Sequence, residues 1–291
     1  MAAPLFGIFP TPNAEERDQL VEQVLLADRI GLDLVGIQDH PYQRRFLDTF
    51  SLIAFLAART ERIRFFPDVA NLPLRQPAVM AKAAATIDLL SGGRFELGLG
   101  AGAFWEGIAA MGGPVRSGPE SVDALEEAIH VIRLMWSGER SVSFSGVYHS
   151  LDGLHPGPQP AHPMGIWLGA YGPRMVRLVG SHADGWIPSI PRLPLEDVAP
   201  RMRAIDEAAR EAGRDPSEIR RIANVNGLIT DGEATDFLDG PVDHWVATLT
   251  SLVRDHGFDG FVLWPKEDPL AQTERFGREV VPAVRDALGD T

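Results

Sequence analysis

Short apolar runs alternate with longer amphipathic stretches along most of the chain. Residues 5–9 read as a strand, ended by Pro10-Thr11-Pro12. Asn13 can cap the helix that follows, with Glu15 and Glu16 near the positive end of its dipole, and Leu20, Val24, Ala27 and Ile30 recur at helical spacing. Gly31 stops that helix. The pattern then predicts a strand over 32–37, a helix over 48–59, a strand over 63–66 that runs out through Asp68-Val69-Ala70-Asn71, a helix over 76–90 with Pro77 in its first turn, and a strand over 95–98. The later half repeats the alternation: helix 121–136, strand 166–168, helix 172–181, strand 185–187, helix 195–212, strand 222–229, helix 242–256, strand 260–263 and a closing helical segment 269–288. About eight strand–helix pairs in succession point to an α/β fold, a (β/α)8 TIM barrel, rather than an open sheet.

One segment breaks the rhythm. Between Gly138 and Pro163, alternation around Ser145-Gly146 predicts a small hairpin, and Pro156-Gly157-Pro158-Gln159-Pro160 is stiff and extended. It is read as a short insertion, about 138–163, before the fifth strand. No composition shift or flexible linker divides the chain, so a single domain over 1–291 is expected.

Composition narrows the class. A barrel of this type takes roughly 250 residues, so a chain of 291 with 45% hydrophobic residues accommodates one with its insertion. A net charge of −13 argues against nucleic acid as a partner. There is no cysteine, which excludes thiolate chemistry and fits a reducing compartment. Residues 1–10 lack the pattern of a secretory leader, and no apolar run has the length of a bilayer span. The expectation is a cytoplasmic protein with neither membrane nor nucleic acid as partner.

In a barrel of parallel strands the chemistry lies at the carboxyl ends. Those ends carry Phe9; Gln38, Asp39 and His40; Asp68, Val69 and Asn71; Gly98, Gly100, Ala101 and Gly102; Gly169, Ala170 and Tyr171; Asn224 and Asn226; and Trp264. Glycines there let backbone approach a ligand and leave N–H groups open to an anion. Gly172-Pro173-Arg174 opens a helix, whose N-terminus suits a phosphate, with Arg174 as a possible added charge. His40 is either a proton-transfer group or a structural histidine bonded to backbone, and its place at a strand end favours the first. Glu106, just after the glycine loop, is a better acid candidate than Glu96, which alternates within a strand. Phe9, Tyr42, Trp105 and Trp264 are expected to wall a substrate pocket, and Arg75 to anchor the third loop through a salt bridge. His149, His155 and His162 match no tight ligand spacing, so no metal is expected.

These motifs resemble those of the bacterial luciferase-like flavin- or deazaflavin-dependent oxidoreductases. The likeness rests on Asp39-His40-Pro41, on Arg75-Gln76-Pro77-Ala78 with Ala83-Ala84-Ala85-Thr86-Ile87-Asp88, and on Ser91-Gly92-Gly93-Arg94-Phe95-Glu96-Leu97-Gly98-Leu99-Gly100. Leu168-Gly169-Ala170, Gly172-Pro173-Arg174 and Ala183-Asp184-Gly185-Trp186 complete it. It spans nearly the whole chain. The resemblance implies a cofactor at the barrel mouth, its phosphate on 98–102 and 169–174, and a non-prolyl cis peptide near Asp68-Val69. It implies coenzyme F420, a deazaflavin, with FMN (a luciferase-like monooxygenase) as the alternative and a non-catalytic barrel subunit as a further one. His40 would act near a small-molecule substrate. The carboxylate that some relatives carry after the glycine loop falls nearer Gly107 than Glu106 in an ungapped reading. The apolar run 81–90 makes a homodimer the expected assembly.

Overall fold

The computed structural model describes residues 3–289, so the two residues at each end of the expected 1–291 domain lie outside the described residues. In chain order the elements are β1 (Leu5–Ile8), α1 (Arg17–Arg29), β2 (Leu34–Ile37), α2 (Thr49–Ala57), β3 (Arg64–Pro67), β4 (Ala70–Asn71), α3 (Pro77–Ser91), β5 (Leu97–Gly100), α4 (Trp105–Ala110) and α5 (Gly118–Trp136). A hairpin of β6 (Val142–Ser145) and β7 (Ser150–Leu154) follows, then β8 (Ile166–Leu168), α6 (Pro173–His182), β9 (Gly185–Trp186), α7 (Val198–Glu211) and β10 (Arg220–Ile229). The chain closes with β11 (Asp239–Gly240), α8 (Val242–Arg254), β12 (Gly260–Pro265), α9 (Pro269–Arg275) and α10 (Val281–Leu288).

Nine parallel strands lie side by side in the order β3-β2-β1-β12-β10-β9-β8-β5-β4. Only Asp68 and Val69 separate β3 from β4, and Phe65 bridges to Phe95, so the two ends of that order belong to one extended segment and the sheet returns on itself. Counting that segment once leaves the eight staves of a (β/α)8 barrel, with the β6–β7 hairpin inserted before the fifth. Successive strand residues face opposite sides. Leu34, Phe66, Trp167, Ile222 and Val262 meet inside the barrel with Phe9 and Ile187. Their neighbours Val35, Phe65, Ile166, Leu168, Ala223 and Phe261 join the larger core between sheet and helices.

Local signals set most helix ends. Asn13 accepts from Glu15 N–H, Asp48 caps α2 through Ser51 N–H, and Gln76 caps α3 through Val79 N–H with Pro77 in the first turn. Gly92, at φ 71°, ends α3 in the left-handed region that glycine enters without strain. Three expectations are corrected. The fourth stave runs over Leu97–Gly100 rather than 95–98, which puts Gly98 and Gly100 inside the strand. A Cβ added at Gly98 would lie 1.9 Å from the Pro67 carbonyl oxygen, so the missing side chain is what allows the interrupted third stave to come close. The short helix α4 was not expected, because it starts from a left-handed Phe104 with no side-chain cap. The closing segment 269–288 is two helices joined by a π turn over Phe276–Val280, where Pro282 has no N–H to offer the preceding turn. Among the described residues no helix is long and apolar enough to cross a membrane.

Candidate active site

The carboxyl ends of the strands open into a cavity of about 720 Å3, within the usual range for a small-molecule site. Phe9, His40 and Tyr42 line one side, with Trp264 near Phe9. Asp68, Val69 and Asn71 line it from the third stave, and Gly100, Ala101 and Gly102 from the loop after the fourth. Gly169, Tyr171, Gly172, Pro173 and Arg174 complete the wall at the start of α6.

Four expected site residues stand outside it. Gly98 packs within the sheet, as above. Ala170 is fully buried, and its carbonyl accepts from Trp186 Nε1 at 2.8 Å. Trp105 opens α4 and packs against Gly102, where a Cβ would lie 2.8 Å from the tryptophan ring. Glu106 is exposed on α4. That helix turns Gly107 toward Tyr42, close enough that a Cβ would lie 2.7 Å from the ring, and the preceding residue points roughly 100° round the helix. The place where the resemblance implied a carboxylate is therefore filled by an aromatic ring.

His40 follows β2, and its Nδ1 lies 2.5 Å from the Tyr42 hydroxyl. Phe104 meets the imidazole edge-on at 5.6 Å. Burial pulls the His40 pKa below its ordinary value; Asp39 pushes it up and Arg192 pulls it down further. Burial, reinforced by Asp39, pushes Tyr42 up to about 12. At neutral pH the pair is thus an uncharged imidazole against a protonated phenol. Asp39 is itself buried and held: Arg75 donates to it from Nε at 2.6 Å and Nη2 at 2.7 Å, and Asn71 N–H donates at 2.9 Å. Arg75 also reaches Asp48 at 2.6 Å and lies over the Phe50 ring, the anchoring role expected of it. This network ties the ends of the second and third staves together beside His40.

Behind it, three buried oxygens have no partner among the described residues: Asp68 Oδ2, Asn71 Oδ1 and Asn224 Oδ1. Asp68 as a residue is only half-buried, but that oxygen is sealed from solvent. Burial raises the Asp68 pKa to about 7, and a hydrogen bond from Asn224 pulls the other way. The Asp68–Val69 peptide is cis, where the resemblance implied such a bond. Across the cavity Gly172 starts α6 with no side-chain cap, so the first N–H groups of that helix are open. Arg174 is turned to Asp123, 2.6 Å away.

Ser189 and Arg192 also line the cavity, and neither was anticipated. They sit in a connection with no periodic pattern, and no sequence signal marks them. Gly118, Pro119, Ser121 and Val122 at the start of α5 line it as well. Here a signal existed, because Ser117 and Glu120 form a capping box that fixes where this helix begins.

Residues 4–236 match the profile of a family described as luciferase-like monooxygenase. The F420-dependent hydroxymycolic acid dehydrogenase of Mycobacterium tuberculosis is 29% identical, with 96% of this chain and 91% of that protein aligned. A phthiodiolone/phenolphthiodiolone dimycocerosates ketoreductase of the same species is 37% identical over 66% of this chain, and the match spans about half (49%) of that protein's length. Among solved structures, an F420-dependent secondary alcohol dehydrogenase in complex with an F420–acetone adduct superposes with a TM-score of 0.87 at 20% identity, over 98% of this chain and all (100%) of that one.

Proposed function

Since the chain belongs to the luciferase-like monooxygenase family, we propose that it is an oxidoreductase that moves a hydride between coenzyme F420 and a secondary alcohol or its ketone. One observation carries this reading. A single cavity joins an uncharged, hydroxyl-backed histidine to an uncapped helix N-terminus, with Asp68, Asn71 and Asn224 on its wall.

The residues present fit a flat ring with an anionic tail. Gly100 and Gly169 both clear space around Val69, since a Cβ at either would lie 2.7 or 3.2 Å from its Cγ2. That leaves Val69 as an apolar surface for a ring to rest on. The polar side chains of Asn71, Asn224 and Asp68, which line the cavity, suit the polar edge of such a ring. The tail's phosphate suits the N–H groups of Arg174 and Met175 in the first turn of α6, next to the backbone of 100–102. Arg192 forms no ion pair among the described residues and can face the tail's further charges. When bound, the deazaflavin supplies a two-electron acceptor that needs no oxygen.

The protein's own part is proton handling and orientation. With Nδ1–H donated to the Tyr42 oxygen, His40 keeps its Nε2 lone pair for a substrate hydroxyl. As the carbinol carbon gives up its hydride, Nε2 takes the hydroxyl proton and the carbonyl forms. The imidazolium so produced lies near the buried Asp39 carboxylate, which favours it. Ketone reduction is the reverse. Phe9, Phe104, Tyr42 and Trp264 give the substrate side an aromatic wall.

We further propose a cytoplasmic homodimer. Val79, Ala83 and Leu90 recur along the outer face of α3, with exposed Phe55 on neighbouring α2, an apolar stripe that a second copy would cover.

The test is anaerobic incubation with F420 and a panel of secondary alcohols, following loss of the oxidised deazaflavin spectrum. Reduction of F420 coupled to ketone formation is expected. No reduction, together with oxygen uptake in the presence of reduced FMN, would assign the cavity to flavin monooxygenation instead. Binding of neither cofactor would leave a non-catalytic barrel.

A further inference from the structure

Outside the barrel mouth, Glu126, His130 and His182 bring one ligand atom each within 4.8 Å of one another. We infer that these three side chains form a binding site for a divalent transition-metal ion of the zinc class, bridging α5 to α6. Glu126 and His130 stand four residues apart on α5 and so share a face. His182 is the last residue of α6. The two imidazole rings are perpendicular, with centroids 5.2 Å apart. This set differs from the histidines of the insertion, for which no metal is expected, because two separate helices assemble it. Only Glu126-x-x-x-His130 is visible along the chain.

Three features favour an ion over a plain polar cluster. First, both rings are held. His130 stacks on Phe144 of the hairpin at 6.2 Å, and His182 Nδ1 lies 2.7 Å from Ser181 Oγ. Fixing one ring nitrogen through a hydrogen bond orients the other for a ligand, as is usual around bound metals. Second, the free His182 Nε2 faces Glu126 Oε1 at 3.9 Å. Ligand atoms around tetrahedral zinc stand roughly 3.4 Å apart for bonds of about 2.0–2.1 Å, so small rotamer adjustments close the set. Third, the surrounding guanidinium groups are occupied elsewhere: Arg174 by Asp123, Arg177 by Glu211, and Arg133 and Arg214 by Asp184. Among the described residues Glu126 pairs with nothing but His182. Two imidazoles and one carboxylate with open positions is a donor set for zinc, cobalt, nickel or copper rather than magnesium or calcium.

The site sits where it can matter to the fold. α5 and α6 pack side by side, and the first turns of both line the cavity. An ion joining Glu126 and His130 to His182 would pin these helices together one to two turns from the rim.

The experiment is zinc titration of the purified, chelator-stripped chain by calorimetry, with thermal melting in parallel. The expected result is one zinc bound per chain and a raised Tm. Both should be lost in His130→Ala and His182→Ala, and the affinity should fall about tenfold or more in Glu126→Gln. His155→Ala, on the insertion, serves as the control that keeps binding. His130 is exposed, so its alanine variant is expected to fold even if that of His182 does not. No stoichiometric zinc binding, or binding unchanged in His130→Ala and Glu126→Gln, would overturn the assignment.

Discussion

The two ends of the barrel treat their polar groups in opposite ways. At the amino ends of the strands, carboxylates close the backbone of a neighbouring stave. Asp33 accepts from Phe6 N–H and Arg285, Asp28 from the N–H groups of residues 61–63, and Glu96 from Gly165 N–H, Arg64 and His162. Asp184 accepts from Ile166 N–H and two arginines, and Asp259 from Arg221 N–H. Burial alone would raise Asp28, but its backbone hydrogen bonds and Arg62 hold it below the usual carboxylate range. At the carboxyl ends, Asp68, Asn71 and Asn224 leave oxygens unpartnered, and a helix starts uncapped. Leaving a buried polar atom open costs about 1–3 kcal/mol, so such atoms persist where a ligand satisfies them. One end of the barrel holds the fold together and the other is left open for chemistry.

Substitutions at the two ends should therefore separate stability from turnover. The largest effect is expected at the closed end. Glu96→Ala removes the one acceptor shared by Gly165 N–H, Arg64 and His162, leaving His162 with Asp88 alone, and is expected to cost about 3–5 kcal/mol in urea unfolding, with turnover per folded molecule unchanged. A loss of turnover at full stability would erase the distinction between the ends. His40→Ala should do the reverse: turnover falls by about 100-fold or more, while F420 affinity and the unfolding midpoint stay near wild type. Stability loss with unchanged turnover would return His40 to a structural role.

Asp68 offers a sharper comparison through pH. Its pKa is raised from 3.8 to about 7 in the folded state. Its contribution to stability is therefore complete at acid pH and is lost as pH rises through about 7, because the folded state then has to ionise a sealed carboxyl. The wild type should lose stability between about pH 4 and pH 7 and level off above, and Asp68→Asn should flatten that fall, by about 2–3 kcal/mol from pH 5 upward. An unchanged slope in the variant would mean that Asp68 is ionised throughout. The smallest effect on the barrel itself is expected from Leu90→Arg on α3. It should halve the mass measured by light scattering while leaving turnover within about twofold; an unchanged mass would remove α3 from any interface.

Much of this was legible in the chain, but unevenly. The strand–helix alternation revealed the barrel, because burial on both sides of each strand leaves a plain apolar run. The motif around Ser91 to Gly100 was legible as a motif but divides between the two ends. Arg94 binds the carbonyls of Ala57, Thr60 and Ile63, Glu96 belongs to the closed end, and Gly98 and Gly100 are strand residues that admit a close neighbour. Only its last residue, Gly100, reaches the cavity. The motif at Ala183-Asp184-Gly185-Trp186 likewise belongs to the closed end. The pairing of His40 with Tyr42 could not be read, because it depends on the turn that follows β2. Nor could the outward turn of Glu106, which follows from Tyr42 packing on Gly107. Arg192 and His182 become relevant only once distant elements meet.

The central claim is that the open end of the barrel is shaped for a deazaflavin. Fluorescence titration of the wild-type chain with F420, set beside the same titration of Glu96→Ala and of a Gly172→Asp variant, tests it most directly. The account predicts saturable binding of one F420 per chain, kept by folded Glu96→Ala and abolished by a carboxylate at the start of α6. Binding that survives Gly172→Asp, or no binding of F420 by the wild type, would contradict it.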